Sequence, residues 1–238
     1  IFIPAAGYDW LMSCDYSQVE LRVLAHMAQD KLLLESFLHG QDVHARTAAE
    51  VFGVPLEQVD AMMRTRAKAV NFGIVYGISD FGLAKQLDIS RGEAAEYIKN
   101  YFARYTGVKK YMDDMVKHAR EQGYVATMFG RRRYLPDIRH SNFNLRSFAE
   151  RTAINTPIQG TAADIIKIAM LKVEQALAEA QVKSRILLQV HDELVLEVTE
   201  AERELVAKLV KRAMEGAATL SVPLTADVAW GKNWAQSK

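Results

Sequence analysis

The sequence predicts an α+β fold in which a block of helices is inserted between strands at the two ends of the chain. Three observations predict it. Apolar, strand-like runs occur at residues 9–14 and again at 185–190, 193–198 and 224–229. Between the first run and the others lie segments with apolar residues at helical spacing, several opened by N-cap residues. No regular alternation of strand and helix runs along the chain, which argues against a parallel βαβ sheet.

Taken in order, the first strand covers residues 9–14 and delivers Asp15 at its end. Ser17 is an N-cap candidate for a helix to about residue 29, with Val19, Leu21, Val23, Leu24, Met27 and Ala28 on one buried face. Helices follow at 42–51 and about 58–76. Ser79 and Ser90 open two more, and Glu93 three residues after Ser90 completes a capping box. Residues 106–122 form another helix. Residues 124–128 and 131–135 flank Phe129-Gly130 as a small hairpin. Residues 147–155 and 161–180 are helical, with Pro157 expected to break or kink the chain between them. The runs 185–190 and 193–198 alternate like two paired strands joined tightly at His191-Asp192. A helix at 201–217 and a strand at 224–229 close the order.

The bulk numbers fit an ordinary globular chain. Of 238 residues, 50% are hydrophobic and 25% charged, far from disordered or fibrous composition. Thirty basic and 29 acidic residues leave a net charge of +1, so any basic surface for nucleic acid must be local. The lone cysteine, Cys14, cannot staple the fold. It lies in the apolar run Trp10-Leu11-Met12-Ser13-Cys14 and reads as a buried small hydrophobe in a reducing compartment. No run approaches the ~20 apolar residues of a membrane span, and no signal peptide opens the chain. A soluble, cytoplasmic protein is expected. The opening Ile1-Phe2-Ile3-Pro4, without an initiator Met, is expected to be the start of an internal piece of a longer protein.

Three groups of residues carry chemistry. In Asp15-Tyr16-Ser17-Gln18-Val19-Glu20-Leu21-Arg22 an acid follows directly on an apolar strand. Its carboxylate emerges from a rigid strand end, a setting that suits a metal ligand. The plainer alternative is an acid favourably placed near a helix start. Second, Arg64, Lys68, Phe72 and Tyr76 recur every fourth residue, so they lie along one slowly drifting helical stripe ahead of Gly77. Two cations match phosphate oxygens and two aromatic rings offer flat surfaces to a base or sugar, the order needed along a nucleoside triphosphate. A solvated basic turn followed by core aromatics is the alternative. Third, Gln189-Val190-His191-Asp192-Glu193-Leu194-Val195 places a histidine and two acids at the junction of two apolar strands. A hairpin tip is also where charge is easily solvated. Mg²⁺ prefers carboxylate oxygens, and two such ions can serve one phosphoryl transfer. Sequence alone does not bring Asp15 and Asp192 together.

These three segments, in this order, resemble motifs A, B and C of the family A DNA polymerases, the bacterial DNA polymerase I type. Arg151-Thr152-Ala153-Ile154-Asn155 and Gln159-Gly160-Thr161-Ala162-Ala163-Asp164 are similar to the family's intervening segment, and the likeness covers essentially the whole chain. The resemblance implies a palm subdomain, an antiparallel sheet with packed helices, carrying an inserted and mostly helical fingers subdomain. The expected boundaries are 1–36 for the first part of the palm, 37–140 for the fingers and 141–238 for the second part of the palm. It implies template-directed DNA synthesis, with primer–template DNA and deoxynucleoside triphosphates as partners, two Mg²⁺ ions as cofactors, no membrane, and a monomer in the cytoplasm, at the nucleoid in a bacterium.

The resemblance also assigns roles. Asp15, Asp192 and the backbone carbonyl of Tyr16 would ligate the metals. Arg64, Lys68 and His44 would contact the triphosphate, with Lys68 also able to protonate the leaving group. Phe72 and Tyr76 would pack on the incoming nucleotide, with Gln18 among the residues around it. Glu20, beside Tyr76, would fill the volume of a ribose 2′-hydroxyl and so disfavour a single-subunit RNA polymerase. Glu193 and His191 would lie near the primer end, while Arg151, Asn155 and Gln159 would touch primer–template. A phenylalanine at position 72, where some relatives carry tyrosine, goes in this family with discrimination against dideoxynucleotides. The helix from Arg64 to Tyr76 is expected to rotate on nucleotide binding. The family's thumb, the first part of its palm and its nuclease domains have no counterpart here. Since phosphate contacts dominate nucleic-acid affinity, weak DNA binding and low processivity are expected of this chain alone. The rival reading is a catalytically silent DNA-binding or structural fragment of such a polymerase.

Some features stay neutral. Arg131-Arg132-Arg133, with Arg139 and His140 nearby, fits either template phosphates or a solvated basic turn. Lys109-Lys110 and Lys211-Arg212 read as solvated helix faces, Trp230 and Trp234 as packing anchors, and His26, His39 and His118 receive no role.

Overall fold

The computed structural model describes residues 2–237. Ile1, of the apolar opening run, and Lys238, at the edge of the last expected subdomain, lie outside them. The class is α+β, as expected. The elements run β1 (Trp10–Tyr16), α1 (Val19–Ala28), α2 (Lys31–Leu38), α3 (Val43–Phe52), α4 (Ala61–Val75), α5 (Asp80–Leu87), α6 (Arg91–Arg104), α7 (Thr106–Gln122), β2 (Tyr124–Ala126), β3 (Arg132–Tyr134), α8 (Phe143–Glu179), β4 (Arg185–Val190), β5 (Glu193–Val198), α9 (Arg203–Glu215) and β6 (Ala226–Gly231). The chain divides into two compact units. One is Glu20–Thr161; the other joins the residues through Val19 to those from Ala162 onward.

The second of these units is built on a four-stranded antiparallel sheet in the order β4-β5-β1-β6. The central strand β1 comes from the start of the chain and runs between β5 and β6, which with β4 come from its last quarter. Successive side chains on a strand point to opposite faces. Met12, Cys14 and Tyr16 share one face of β1, where the Tyr16 hydroxyl donates to the Met214 carbonyl at 2.6 Å. Helix α9 covers that face with Val206, Val210 and Met214, all fully buried. Leu11, Ser13 and Asp15 therefore share the opposite face. Cys14 is fully buried and free, and burial pushes its thiol up to about 12, so it behaves as the inert hydrophobe expected.

The other unit is helical apart from the β2–β3 hairpin. Asp30 organises its start. One carboxylate oxygen accepts from the Leu32 and Leu33 amides and caps α2, while the other accepts from the Gly107 and Val108 amides at the head of α7. A side chain at Gly107 would collide with the Asp30 backbone, 2.8 Å from an ideal Cβ. Asp42, Asp60 and Ser79 cap α3, α4 and α5, and Ser90 with Glu93 forms the expected capping box on α6.

Several expectations shift. Helix α2 was not anticipated, and α4 starts at Ala61, three residues later than expected, after a 3₁₀ turn at Leu56–Gln58. The two strands of the small hairpin are only three residues each. Pro157 does not break the chain: α8 runs unbroken from Phe143 to Glu179 with the proline inside it. A helix interior proline costs about 3 kcal/mol through one missing donor and a ring clash. Here Ala153 and Ile158 are fully buried on either side of it, and Ile165 further on, so burial along the helix outweighs that local cost.

Candidate nucleotidyl-transfer site

The sheet unit gathers carboxylates by register. Directly opposed cross-strand residues point to the same face. Asp15 pairs with Glu193 on one side and with Asp227 on the other, so three acids stand in one row across β5, β1 and β6. Asp192 precedes Glu193 in the two-residue turn between β4 and β5, where His191 takes the left-handed conformation at φ 54°. The Tyr16 amide donates to the Asp192 carbonyl at 3.2 Å and fixes that turn against β1. The charge of Asp192, 177 positions away in sequence, also acts on Asp15.

The electrostatics follow from the row. Partial loss of solvent, then the charges of Asp192, Glu193 and Asp227, push Asp15 from its usual 3.8 up to about 6. Glu193 is only 8% exposed, and its carboxylate accepts from the Ser13 hydroxyl at 2.6 Å and the Trp234 indole at 3.0 Å. Trp234 thus anchors an acid as well as packing edge-on to Phe2. Among the described residues no group of three or more His, Cys, Asp or Glu is arranged to hold a metal by itself. The fit to a divalent cation is of another kind. The acids that push Asp15 up gather negative charge at one place, and carboxylates are the oxygen donors that Mg²⁺ prefers.

A stability prediction follows. Asp15 binds its proton more tightly in the folded chain than in the unfolded one. The penalty is absent below about pH 3.8, grows between 3.8 and 6, and is fully present above 6. In metal-free buffer at pH 8, Asp15→Asn is therefore expected to stabilise the chain by about 1 kcal/mol after allowing for solvent screening, or ~2–4 °C in Tm. Thermal denaturation in EDTA checks this, and the gain should vanish near pH 4.

The helical unit carries the cations and rings. Along α4, Arg64 and Lys68 are exposed, Phe72 is half-buried and Tyr76 forms the C-cap. The Arg64 Nε donates to Asp42 at 2.6 Å, and the same carboxylate caps α3 by accepting from the His44 amide at 2.9 Å. Lys68 makes no ion pair among the described residues. His44 is buried, with its ring 5.8 Å from that of Phe72, and burial pushes its pKa down to about 4. The Tyr76 hydroxyl donates to Glu20 Oε2 at 2.9 Å, so the expected neighbourhood of Glu20 and Tyr76 is a direct hydrogen bond.

Beyond α4, Gly77 adopts φ 67°, and an added Cβ would stand 2.9 Å from the Arg151 side chain. Gly77→Ala is expected to destabilise the chain by about 1–2 kcal/mol, from left-handed strain and this approach together. Urea unfolding measures it. Arg151, Asn155 and Gln159 recur every fourth residue along one face of α8. The Asn155 Nδ2 donates to the Tyr76 carbonyl at 3.2 Å, while its Oδ1 is buried without a hydrogen-bond partner among the described residues. A cleft of ≈ 450 Å³ opens beside Phe72, Tyr76, Gly77 and Arg151.

The basic run separates into different duties. Arg131 donates to the Gly160 carbonyl at 2.9 Å, Arg132 stacks over the Tyr124 ring at 4.6 Å, and Arg139 donates to the Arg120 carbonyl. These side chains tie the hairpin and the following turn to their neighbours. Gln18 sits just before α1 at φ 54°. Asp227 is the residue that sequence reading missed. Its only local signal is an acid at an exposed position in the last strand, and its place beside Asp15 needs the β1–β6 register.

Residues 1–236 match the model of DNA polymerase family A. All 238 residues align at 57% identity with DNA polymerase I of Geobacillus stearothermophilus and at 53% with that of Bacillus subtilis, covering 27% of each. DNA polymerase I of Caldicellulosiruptor bescii is 54% identical over the same span, 28% of its length. The chain thus spans little more than a quarter of these relatives. Among solved structures, the POL domain of Pol1 from M. smegmatis, in complex with DNA primer-template and dNTP, superposes with a TM-score of 0.95 at 47% identity. The alignment covers 99% of this chain and 41% of that one.

Proposed function

The chain belongs to DNA polymerase family A, and from that premise we propose that it carries the nucleotidyl-transfer site of a template-directed DNA polymerase. The reaction is in-line attack of a primer 3′-hydroxyl on the α-phosphorus of a deoxynucleoside triphosphate, with pyrophosphate leaving. The observation that carries the reading is the carboxylate row around Asp15, joined by Asp192 from the adjacent turn. Primer–template DNA and deoxynucleoside triphosphates are the partners. Residues 1–36 and 141–238 form the palm and 37–140 the fingers. The active species is a monomer in the cytoplasm, at the nucleoid in a bacterium. Among the described residues no helix is long and apolar enough to cross a membrane.

Asp15, Asp192 and the Tyr16 carbonyl would hold divalent cations, two Mg²⁺ in this proposal. When bound, these supply activation of the attacking hydroxyl and neutralisation of charge on the leaving pyrophosphate. Arg64 offers a forked donor and Lys68 a point charge to the triphosphate oxygens, with Lys68 also able to give a proton to the leaving group. His44 adds a neutral donor. Phe72 and Tyr76 pack on the nucleoside, Gln18 helps border it, and Glu20 excludes a 2′-hydroxyl. Glu193, held by Ser13 and Trp234, presents fixed negative charge near the primer end, with His191 beside it. Arg151, Asn155 and Gln159 form a polar stripe for primer–template, and the orphan Asn155 acceptor suits a donor on a base edge. Positioning and charge neutralisation account for most of the rate in such transfers.

Phe72→Tyr in the complete polymerase is expected to raise dideoxynucleotide incorporation relative to deoxynucleotides, by roughly tenfold if one hydrogen bond to the nucleotide is gained. Competitive incorporation on one template checks it.

The test of the function is extension of a labelled primer–template by this chain with Mg²⁺ and four deoxynucleotides, at low salt and high protein concentration. Templated extension lost in EDTA and in Asp192→Ala supports the reading. If the chain joined to a relative's upstream segment, with that segment folded, still fails to extend, the reading falls to the silent-fragment alternative.

A further inference from the structure

Within the helical unit a line of buried polar groups runs behind α4. The Tyr105 hydroxyl lies 3.0 Å from Thr47 Oγ1, Thr47 Oγ1 donates to Asn71 Oδ1 at 3.1 Å, and Asn71 Nδ2 lies 3.1 Å from His44 Nδ1. Asn71 Nδ2 is also 3.1 Å from Thr47 Oγ1, so both its hydrogens have an acceptor. Thr47, Asn71 and Tyr105 are fully buried and His44 is 3% exposed. A buried network whose groups pair donor to acceptor along its length holds one orientation. No role assigned above uses Asn71, which sits on α4 immediately before Phe72.

An amide nitrogen can only donate. The His44 Nδ1 facing it must therefore be the bare, accepting nitrogen, and in a neutral imidazole the single proton then sits on Nε2. Nε2 makes no hydrogen bond among the described residues. The ring is thus bound at one nitrogen by the protein and open at the other. Tautomer setting by a fixed partner on the far nitrogen is how proteins orient imidazoles for ligands.

We propose that Asn71 is a positioning residue that holds His44 in its neutral Nε2–H form, so that the imidazole meets a triphosphate oxygen as a hydrogen-bond donor and not as a cation. The functional half of this rests on the reading of His44 as a triphosphate contact. Burial, which pushes the His44 pKa down to about 4, acts in the same direction, as do the nearby Arg64 and Lys68 charges against the opposing Asp42. Positive charge on the triphosphate then comes from Arg64 and Lys68, and His44 contributes direction.

Two measurements test the two halves separately. The chain labelled with ¹⁵N-histidine is followed by two-bond nitrogen–proton correlation between about pH 6 and 8, well above the His44 value of about 4. The His44 signal among the six histidines is identified by its loss in His44→Gln. The expected pattern is a protonated Nε2 and a bare Nδ1. Asn71→Asp, whose carboxylate can only accept, should move a proton onto Nδ1. A protonated Nδ1 or a charged ring in the parent chain, or a bare Nδ1 in Asn71→Asp, overturns the assignment. In the complete polymerase, His44→Asn places an amide nearer the Nδ1 position and should raise the KM for deoxynucleotide about tenfold with a smaller change in kcat. His44→Gln places its amide nearer Nε2 and should raise KM less. Equal losses or the reverse order overturn the donor role. An unchanged KM in both variants overturns the triphosphate reading of His44 while leaving the tautomer result standing.

Discussion

Replacing Asp15 or Asp192 by alanine in a complete polymerase carrying this chain is expected to lower nucleotide incorporation by about 10³-fold or more. Primer–template affinity should stay within roughly threefold of the parent, because phosphate contacts from cations dominate that affinity and acids oppose it. The two residues lie 177 positions apart in sequence, and the charge of Asp192 helps push Asp15 up to about 6. Asp15 stands at the middle of a three-acid row, whereas Asp192 stands in the turn beside it. Their removal relieves like-charge repulsion, so both variants should fold at least as well as the parent, and the loss of rate cannot be assigned to unfolding. Single-turnover primer extension gives the rate and fluorescence anisotropy gives the affinity. Incorporation by either variant within tenfold of the parent would sink the metal-ligand assignment.

The fold was legible where local pattern and tertiary demand agree. β1, β4 and β5 are apolar runs, with the charged turn at His191-Asp192 between the last two, and the capping box at Ser90 and Glu93 announces α6 from four residues alone. Helix α2 was not legible. Lys31-Leu32-Leu33-Leu34-Glu35-Ser36-Phe37-Leu38 spans only two turns, too short for a helical period to stand out, and its cap, Asp30, does half its work on α7, 77 positions away. Pro157 misled for the opposite reason. Its local penalty is real, but burial along α8 decides the outcome, and that burial is invisible before the fold is known.

The site divides in the same way. Residues at fixed spacing on one element, such as Arg64, Lys68, Phe72 and Tyr76 on α4, are readable because the helical repeat alone puts them on one stripe. Residues brought together by register are not. Asp227 looks like any exposed acid in a final strand until β6 pairs with β1, and Asn71 looks like a polar residue in a helix until α3 packs behind it. Glu193 was read from its motif, yet its two donors, Ser13 and Trp234, come from β1 and from the end of the chain. Motif reading finds the groups that touch a ligand. It passes over the groups that hold them.

Glu20 is where a held group should decide selectivity. The Tyr76 hydroxyl donates to Glu20 Oε2 at 2.9 Å, and Tyr76 is itself fixed from behind by Asn155, which donates to its carbonyl. A carboxylate clamped in this way cannot swing aside at small cost, because moving it breaks a charge-assisted hydrogen bond of about 1.5–3 kcal/mol. If the pair borders the sugar of the incoming nucleotide, a 2′-hydroxyl must either displace Glu20 or clash with it. Glu20→Ala removes both the volume and the clamp. In a complete polymerase carrying this chain, the preference for deoxy- over ribonucleotide, as a ratio of kcat/KM, is then expected to fall by on the order of 10²-fold, the range that one well-placed steric and polar contact can discriminate. The gain should come from ribonucleotide insertion, with deoxynucleotide kcat/KM falling less than tenfold. Tyr76→Phe separates the two contributions. It keeps the ring and frees the carboxylate, so selectivity should fall by a smaller factor, near tenfold, if the hydrogen bond supplies stiffness. Selectivity unchanged in Glu20→Ala would remove Glu20 from the nucleotide site, and an equal fall in both variants would mean that position, not volume, sets the gate.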